Sequence, residues 1–165
     1  MEKREITLNV NGKPHHVMIY PNETLLDVLR DKLDLTGSKE SCGEGVCGSC
    51  TIQMDGKPVR SCLTLALEAI EAKIETVESL ANGDELSDLQ QSFVDHGAVQ
   101  CGFCTPGMLM SADALLKNNP KPDENTVRKA LSGNICRCTG YAKIVEAVLH
   151  TAQPRGHCSD CRSKE

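Results

Sequence analysis

The chain has 165 residues and a formal net charge of −5, with no run of basic residues, so its electrostatics exclude a nucleic-acid-binding protein. No apolar stretch approaches the length of a membrane span, and the charged N-terminal residues contain neither a signal-peptide core nor a twin-arginine leader. We therefore expect a cytoplasmic protein, unless a partner with its own leader carries it elsewhere, built as one domain or two small ones.

Cysteine is the most informative residue type in the composition. Ten cysteines in a reducing cytosol argue against a disulfide framework and for metal ligation. Aromatic residues make up only 2% of the chain and tryptophan is missing, so the cores must be built from aliphatic side chains and methionine. Because small cores are marginal and metal binding adds to the folding free energy, we expect the metal-free chain to be poorly folded.

Hydrophobic periodicity predicts that the chain starts with a strand, a turn and a second strand. Apolar and polar residues alternate over residues 5–10 and again over residues 16–20, which is the period of a strand with one buried face. The pair Asn11-Gly12 lies between them and is typical of a two-residue hairpin turn. Pro21 is expected to end the second strand.

A helix followed by further strands is predicted next. Thr24 and Asp27 have the spacing of a capping box, and an apolar stripe at helical spacing continues to Leu33. The later strands are predicted at residues 51–54, 59–62 and 74–77. This order predicts a small α+β domain with a partly parallel sheet over residues 1–80.

The pattern becomes helical from about residue 84 onward. The predicted helices begin near residues 87, 105, 123 and 141. Ser87 and Asp123 have the character of N-cap residues, and Thr105 is expected to cap the helix that follows it. We predict an all-α domain over residues 84–152 and a flexible tail over residues 153–165.

Four cysteines in the first predicted domain form a ligand set of defined spacing. They follow the pattern C-x4-C-x2-C-x11-C and are Cys42, Cys47, Cys50 and Cys62. The first three have the spacing of plant-type ferredoxins, in which four thiolates hold a [2Fe–2S] cluster. Glycines in the loop allow positive φ and let backbone N–H groups approach the sulfurs. A zinc site or unligated thiols are the alternatives, and zinc sites favour paired C-x2-C knuckles that fit this loop poorly.

A second set of cysteines lies in the predicted helical domain. It has the pattern C-x2-C-x31-C-x-C and consists of Cys101, Cys104, Cys136 and Cys138. Its members precede two predicted helices, where free N–H groups and the helix dipole favour thiolates and an anionic cluster. Glycines are expected where the backbone must come close, at Gly102, Gly133 and Gly140. On spacing alone zinc stays open as an alternative, whereas a thioredoxin-type C-x2-C would need a βαβ unit that the pattern lacks.

Three stretches of the sequence resemble one known family. They are ESCGEGVCGSC at residues 40–50, QCGFCTPG at residues 100–107 and GNICRCTGY at residues 133–141. They are similar to the small iron–sulfur subunit of the molybdenum hydroxylases, the family of xanthine dehydrogenase, aldehyde oxidoreductase and carbon monoxide dehydrogenase. The resemblance covers about residues 4–152. It implies an α+β chain with an N-terminal β-grasp ferredoxin domain and an all-α four-helix domain, each holding one [2Fe–2S] cluster.

The resemblance also implies partners and a role. A large subunit would carry the molybdopterin cofactor and the substrate pocket, and a medium subunit would often carry FAD. Gln100 matches a glutamine whose side chain contacts the pterin, and Cys138 would lie near the pterin as well as binding its cluster. Electrons would pass from molybdenum to the helical-domain cluster, then to the ferredoxin cluster and on to flavin. The chain itself would be a non-catalytic electron-transfer subunit without a substrate site.

Two other functions fit the residues without the resemblance. One is a free-standing two-cluster ferredoxin or redox sensor, in which Gln100 would have no evident purpose. The other is a zinc-stabilised interaction domain. The tail adds a further C-x2-C at Cys158 and Cys161, which is either a pair of idle thiols or part of a shared metal site or assembly contact.

Overall fold

A computed structural model describes residues 2–152, and its N-terminal half contains a five-stranded sheet. The strands are β1 (Arg4–Val10), β2 (Lys13–Ile19), β3 (Thr51–Met54), β4 (Lys57–Arg60) and β5 (Lys73–Glu75). They lie in the order β2-β1-β5-β3-β4, with β1 parallel to β5 and the other neighbouring pairs antiparallel. The partly parallel sheet predicted from the sequence is confirmed.

The β1–β2 hairpin turns at Asn11 and Gly12, where φ is 53° and 76°, as a tight two-residue turn requires. The return strand begins at Lys13, earlier than the predicted residue 16, although it then includes Pro14, which has no N–H group to donate. Pro14 is tolerated because β2 is the outermost strand of the sheet, where a missing donor leaves no neighbour unpaired.

The connection that follows the hairpin is helical but short. Thr24 caps α1 (Leu25–Asp27) through the predicted capping box. The N–H of Asp27 donates to Thr24 Oγ1 at 3.2 Å, and the N–H of Thr24 donates to Asp27 Oδ2 at 3.0 Å. The helix then widens into a π-helical turn over Val28–Lys32. Its apolar stripe packs into the core beneath the sheet, as the helical spacing predicted.

The strand predicted to contain Cys62 ends earlier than expected. Strand β4 stops at Arg60, and Cys62 lies in a tight 3-10 turn formed by Ser61–Leu63. The turn is stabilised by the buried Ser61, whose hydroxyl donates to the carbonyl of Cys50 at 2.7 Å. This hydrogen bond holds two cysteine-bearing segments together, so Cys62 comes close to Cys50.

The C-terminal half of the described chain is helical. Its helices are α2 (Asp88–Asp95), α3 (Thr105–Asn118), α4 (Glu124–Leu131) and α5 (Ala142–Ala152). Ser87 caps α2 and Asp123 caps α4 as predicted, through side-chain oxygens that accept from backbone N–H groups. The cap predicted for α3 is wrong by one residue, because Thr105 is already helical and Cys104 is the N-cap. None of the helices within residues 2–152 is long and apolar enough to cross a membrane.

Each half of the described chain has its own hydrophobic core. One core lies between the sheet and α1 and contains fully buried side chains such as Leu8 and Ile52. The other lies among the helices around Phe93 and Met108, which are 1% and 0% exposed. Burying a side chain of this size contributes about 1.5–3 kcal/mol, so each half is stabilised chiefly by its own core.

Candidate metal centres

The first cysteine loop wraps around the sulfur of Cys42. Three glycines of the loop have positive φ of 64° to 74°, which residues with a Cβ rarely adopt, and they are Gly43, Gly45 and Gly48. This conformation lets the N–H groups of Cys47 and Glu44 donate to Cys42 Sγ at 3.5 and 3.4 Å. The bonds from Cys47 and then Glu44 lower the pKa of the Cys42 thiol to about 6. The loop therefore stabilises a thiolate.

The other two cysteines of the first set lie side by side. The Sγ atoms of Cys50 and Cys62 are 3.3 Å apart, and Cys50 is only 2% exposed. Burial, followed by the contact with Cys50, raises the pKa of the Cys62 thiol to about 11. Since the side chains of Cys42 and Cys47 also contact each other, the first set is divided into two pairs of thiols.

In the second set, Cys101 and Cys138 form an exposed pair. Their Sγ atoms are 3.6 Å apart. The hydrogen bond that the Cys138 thiol donates to Cys101, followed by the repulsion between the two sulfurs, raises the pKa of the Cys138 thiol. Gln100, which directly precedes Cys101, is exposed as well. One end of the second set therefore lies at the surface of the chain.

Cys104 and Cys136 form an inner pair within the helical core. Cys136 is 8% exposed and belongs to that core, and Cys104 packs against it. Burial, followed by the contact with Cys136, raises the pKa of the Cys104 thiol to about 12. Burial therefore opposes the thiolate at Cys104, although the residue precedes the first turn of α3, where free N–H groups were expected to favour it.

The loop from Cys136 to Tyr141 surrounds its sulfur with polar groups. Burial opposes the Cys136 thiolate, but the hydroxyl and N–H of Thr139 lie 3.0 and 3.5 Å from the sulfur and leave the pKa of the thiol lowered. The N–H of Cys136 donates to the Tyr141 hydroxyl at 2.9 Å. Gly140 and Tyr141 both have positive φ, 64° and 68°, so the chain reverses sharply and the tyrosine closes the loop.

The three glycines near the second set serve different needs. Gly102 and Gly140 have φ of 80° and 64°, and a Cβ built on either would meet no atom closer than 3.8 Å. Glycine is needed at these two positions for its conformation and not for a close approach. A Cβ on Gly133, in contrast, would lie 2.5 Å from Nη2 of Arg60. Glycine is needed at position 133 for the close approach of the Arg60 side chain.

Pairs of sulfurs are the arrangement that a two-iron cluster needs, because its four thiolates are shared between two irons. A single zinc ion would instead draw all four sulfurs to about 2.3 Å from one point. Each set contains two thiol pairs, and backbone N–H groups are directed at a sulfur in each. The residues present therefore fit a [2Fe–2S] cluster in each set. Within residues 2–152, no group of three or more His, Cys, Asp or Glu side chains has the geometry to hold one metal ion.

Loading of the two centres is expected to release protons and to become tighter as the pH rises. Cluster ligands are thiolates, whereas pKa values of about 11 for Cys62 and about 12 for Cys104 keep both thiols protonated at neutral pH. Each such thiol loses one proton on binding, so below its pKa the loading constant rises about tenfold per pH unit. Cys42, with its pKa of about 6, adds no slope above that pH.

Competition with an iron chelator between about pH 7 and about pH 9 measures this slope, because the Cys62 and Cys104 thiols stay protonated throughout that window. A loading constant that does not change with pH there would contradict the protonation states assigned to Cys62 and Cys104.

A backbone hydrogen bond joins the two cysteine-bearing regions. The N–H of Ile135, the residue before Cys136, donates to the carbonyl of Cys47 at 2.8 Å. Asn134 is 2% exposed and supports this contact, because its side-chain Nδ2 donates to the carbonyl of Gly48 at 2.9 Å. The path from Cys47 to Cys136 therefore crosses one hydrogen bond, and the peptide bond between Ile135 and Cys136 completes it.

Glycines allow the two regions to touch backbone to backbone at this junction. A Cβ on Gly107, in the first turn of α3, would collide with the carbonyl oxygen of Gly48. A Cβ on Gly48 would collide with the carbonyl oxygen of Gly133. Beside these contacts, Nε2 of Gln53 donates to the carbonyl of Met110 at 3.0 Å. The junction is therefore close-packed and hydrogen-bonded, which fixes the spacing of the two cysteine sets.

Fold and site together define a protein that carries two iron–sulfur clusters. One family model, described as "2Fe-2S iron-sulfur cluster binding domain", matches residues 8–81, and another, described as "[2Fe-2S] binding domain", matches residues 76–149. The nicotinate dehydrogenase small FeS subunit of Eubacterium barkeri is 48% identical over 93% of this chain and 98% of its own length. The nicotine 6-hydroxylase small subunit of Paenarthrobacter nicotinovorans is 55% identical over 90% of this chain and 89% of its own. The chain belongs to the family of small iron–sulfur subunits of molybdenum-hydroxylase-type dehydrogenases.

Solved structures agree with this assignment. A chain of quinoline 2-oxidoreductase from Pseudomonas putida 86 matches with a TM-score of 0.89 and 50% identity, over 92% of this chain and 94% of that chain. The aldehyde oxidoreductase of Desulfovibrio desulfuricans ATCC 27774 matches with a TM-score of 0.87 and 46% identity over 92% of this chain, but only 17% of that longer polypeptide. The predicted family, electron-transfer role, cofactors and partners are confirmed. The chain has two [2Fe–2S] domains, as a small subunit of a multisubunit dehydrogenase complex, and in enzymes of this family the partner subunits carry molybdopterin and FAD.

Proposed function

We propose that each cysteine set binds one [2Fe–2S] cluster, and that the chain relays electrons from the molybdopterin site of a large subunit to FAD or another acceptor. The ligands of the first cluster are Cys42, Cys47, Cys50 and Cys62, and those of the second are Cys101, Cys104, Cys136 and Cys138. The observation that carries the proposal is the pairing of these thiols, two pairs in each set. When bound, each cluster supplies a site that takes up and gives up one electron.

The exposed pair Cys101 and Cys138 is the end of the relay that meets the large subunit. Gln100 is exposed beside this pair, and its amide can both donate to and accept from a pterin ring. We assign Gln100 and Cys138 as the residues next to the pterin. Val99 and Phe103 are 39% and 45% exposed in the same segment, which suits a protein–protein contact.

The route within the chain runs from the inner thiol pair to the first set. The N–H of Ile135, adjacent to Cys136, is bonded to the carbonyl of Cys47, so one hydrogen bond bridges the two sets. Beyond the first set, Val46 and Leu63 are 62% and 60% exposed next to the cysteines of that set. We assign this apolar surface to the approach of the electron acceptor.

We also infer the division of the chain that the sequence suggested, with a β-grasp ferredoxin domain over residues 1–80 and a four-helix [2Fe–2S]-binding domain over residues 84–152. The two separate cores and the family matches to each half support this division. The tail predicted over residues 153–165 lies outside the described residues, and so do Cys158 and Cys161. A cytoplasmic location is proposed on the cysteine content, since cysteine thiols are kept reduced there.

We place the substrate chemistry on the large subunit. A cavity of about 480 Å³ lies beside α4 and α5, and neither Gln100 nor any of the eight paired cysteines lines it. The relatives described above bear the names nicotinate dehydrogenase, nicotine 6-hydroxylase and quinoline 2-oxidoreductase. These names refer to nitrogen heteroaromatic compounds, so we propose that the complex containing this chain oxidises a compound of that class.

Metal analysis of the complex, captured through a tag on this chain, tests the proposed function. We expect about four irons per chain, the content of two [2Fe–2S] clusters, together with molybdenum in a larger co-purifying protein. Iron without molybdenum or a partner would instead favour a free-standing two-cluster ferredoxin.

A further inference from the structure

The guanidinium of Arg60 contacts both cysteine-bearing regions. Its Nη2 donates to the carbonyl of Gly133 at 2.7 Å, and its Nε donates to the carbonyl of Gly45 at 3.3 Å. Its Nη1 donates to the hydroxyl of Thr51 at 2.8 Å. Gly45 lies within the first cysteine loop, and Gly133 lies in the segment that leads into Cys136. One half-buried side chain therefore bridges the two halves at the level of both centres.

A glycine at position 133 leaves room for the guanidinium of Arg60. A Cβ on Gly133 would come within 2.5 Å of Nη2, so only glycine lets the guanidinium reach the carbonyl at its present distance. The same segment continues to Ile135, whose N–H is bonded to the carbonyl of Cys47. The planar guanidinium fork of an arginine holds several acceptors in a fixed geometry. Arg60 therefore restrains the two loops and, through them, the hydrogen bond from the Ile135 N–H to the Cys47 carbonyl.

The charge of Arg60 acts on the same two centres. A cluster held by four thiolates is anionic, and an added electron makes it more so. A cation in a half-buried position is screened less than one at the surface, so it stabilises the reduced form of a nearby cluster more than the oxidised form. The position of Arg60 between the loops directs this effect at both clusters.

We propose that Arg60 is a positioning residue that fixes the separation of the two clusters and raises the reduction potential of both. The inference rests on the proposed function, because it requires a cluster at each cysteine set.

A redox titration of the complex, followed by EPR, tests this role with three variants. Arg60→Gln removes the charge and the fork, Arg60→Lys keeps the charge but loses the fork, and Gly133→Ala keeps the arginine but pushes its guanidinium away. We expect Arg60→Gln to lower both midpoint potentials by about 59 mV, a tenfold change in the ratio of reduced to oxidised cluster. Arg60→Lys should restore most of the potential while the magnetic interaction between the reduced clusters stays weaker than in wild type.

Gly133→Ala should lower both potentials, as Arg60→Gln does, but by less. This variant also provides the test if Arg60→Gln binds no iron. Arg4→Gln is the matched control, because it removes the same charge from an exposed position at the start of β1. Arg4 lies at the opposite end of β1 from Asn9 and Val10, where β1 pairs with β5 in the interior of the sheet. We expect it to leave both potentials unchanged.

The inference would be overturned if both Arg60→Gln and Gly133→Ala kept the wild-type potentials and magnetic interaction and showed only a lower melting temperature. Arg60 would then be a structural contact alone. A wild-type complex without two iron–sulfur EPR signals would instead refute the proposed function, which distinguishes the two failures.

Discussion

Cys104→Ser is expected to remove one cluster and to stop electron flow through the complex. The iron content should fall from about four to about two per chain, because each [2Fe–2S] cluster holds two irons on four thiolates. Cys104 packs with Cys136 in the helical core, where serine would offer a hydroxyl, a harder and much less acidic ligand than a thiol. Turnover should fall by more than about a hundredfold, which exceeds the loss seen for groups that only support a ligand.

Cys158→Ser is the matched control for Cys104→Ser, since it changes the same residue type outside both ligand sets. If Cys158 is one of the two idle thiols of the tail, its iron content and its turnover with an electron acceptor should equal those of the wild-type complex. Iron analysis and steady-state turnover of the purified complexes measure both effects. A Cys104→Ser complex with the full iron content and full turnover would show that Cys104 does not bind a cluster.

Gly107→Ala is expected to loosen the junction between the two halves while both clusters stay in place. The added Cβ would collide with the carbonyl oxygen of Gly48 and come within 3.1 Å of Asn134 Nδ2. Both atoms belong to the hydrogen bond that holds the first cysteine loop, so the loop and α3 must move apart. Overpacking of this kind costs about 1–3 kcal/mol of unfolding free energy, although alanine is the better helix former by about 1 kcal/mol.

Electron transfer between the clusters should also slow in Gly107→Ala, because the shift lengthens the hydrogen bond from the Ile135 N–H to the Cys47 carbonyl. Thermal unfolding measures the loss of stability, and rapid-freeze EPR of partly reduced protein measures the transfer. Asn125→Ala, at an exposed position of α4, is the control and should change neither quantity. A wild-type melting temperature together with a wild-type transfer rate in Gly107→Ala would contradict a rigid junction.

Local patterns predicted the features that depend on neighbours in the sequence. The cysteine spacings indicated both sets, whose members the structure brings together in pairs. Positive φ was predicted for the glycines of the first loop, because a chain that wraps a sulfur needs this conformation, and Gly43 and Gly45 have it. Ser87 and Asp123 marked helix starts correctly. Such features are determined by a few adjacent residues, so one sequence is enough to identify them.

The junction between the two halves depends on residues far apart in the chain, and the sequence did not predict it. Arg60 reaches Gly133, 73 residues further along, and Asn134 reaches Gly48 across 86 residues. Ile135 acts through its backbone N–H, a group that every residue except proline has, so no side-chain pattern marks it. The raised pKa of the Cys104 thiol likewise follows from burial among helices that meet only in the folded chain.

Iron and molybdenum analysis of the complex captured through this chain tests most directly whether the chain holds two [2Fe–2S] clusters as a relay from a molybdenum partner. We expect a brown complex with about four irons per copy of this chain and molybdenum confined to a larger co-purifying protein. A colourless preparation with zinc in place of iron would contradict it.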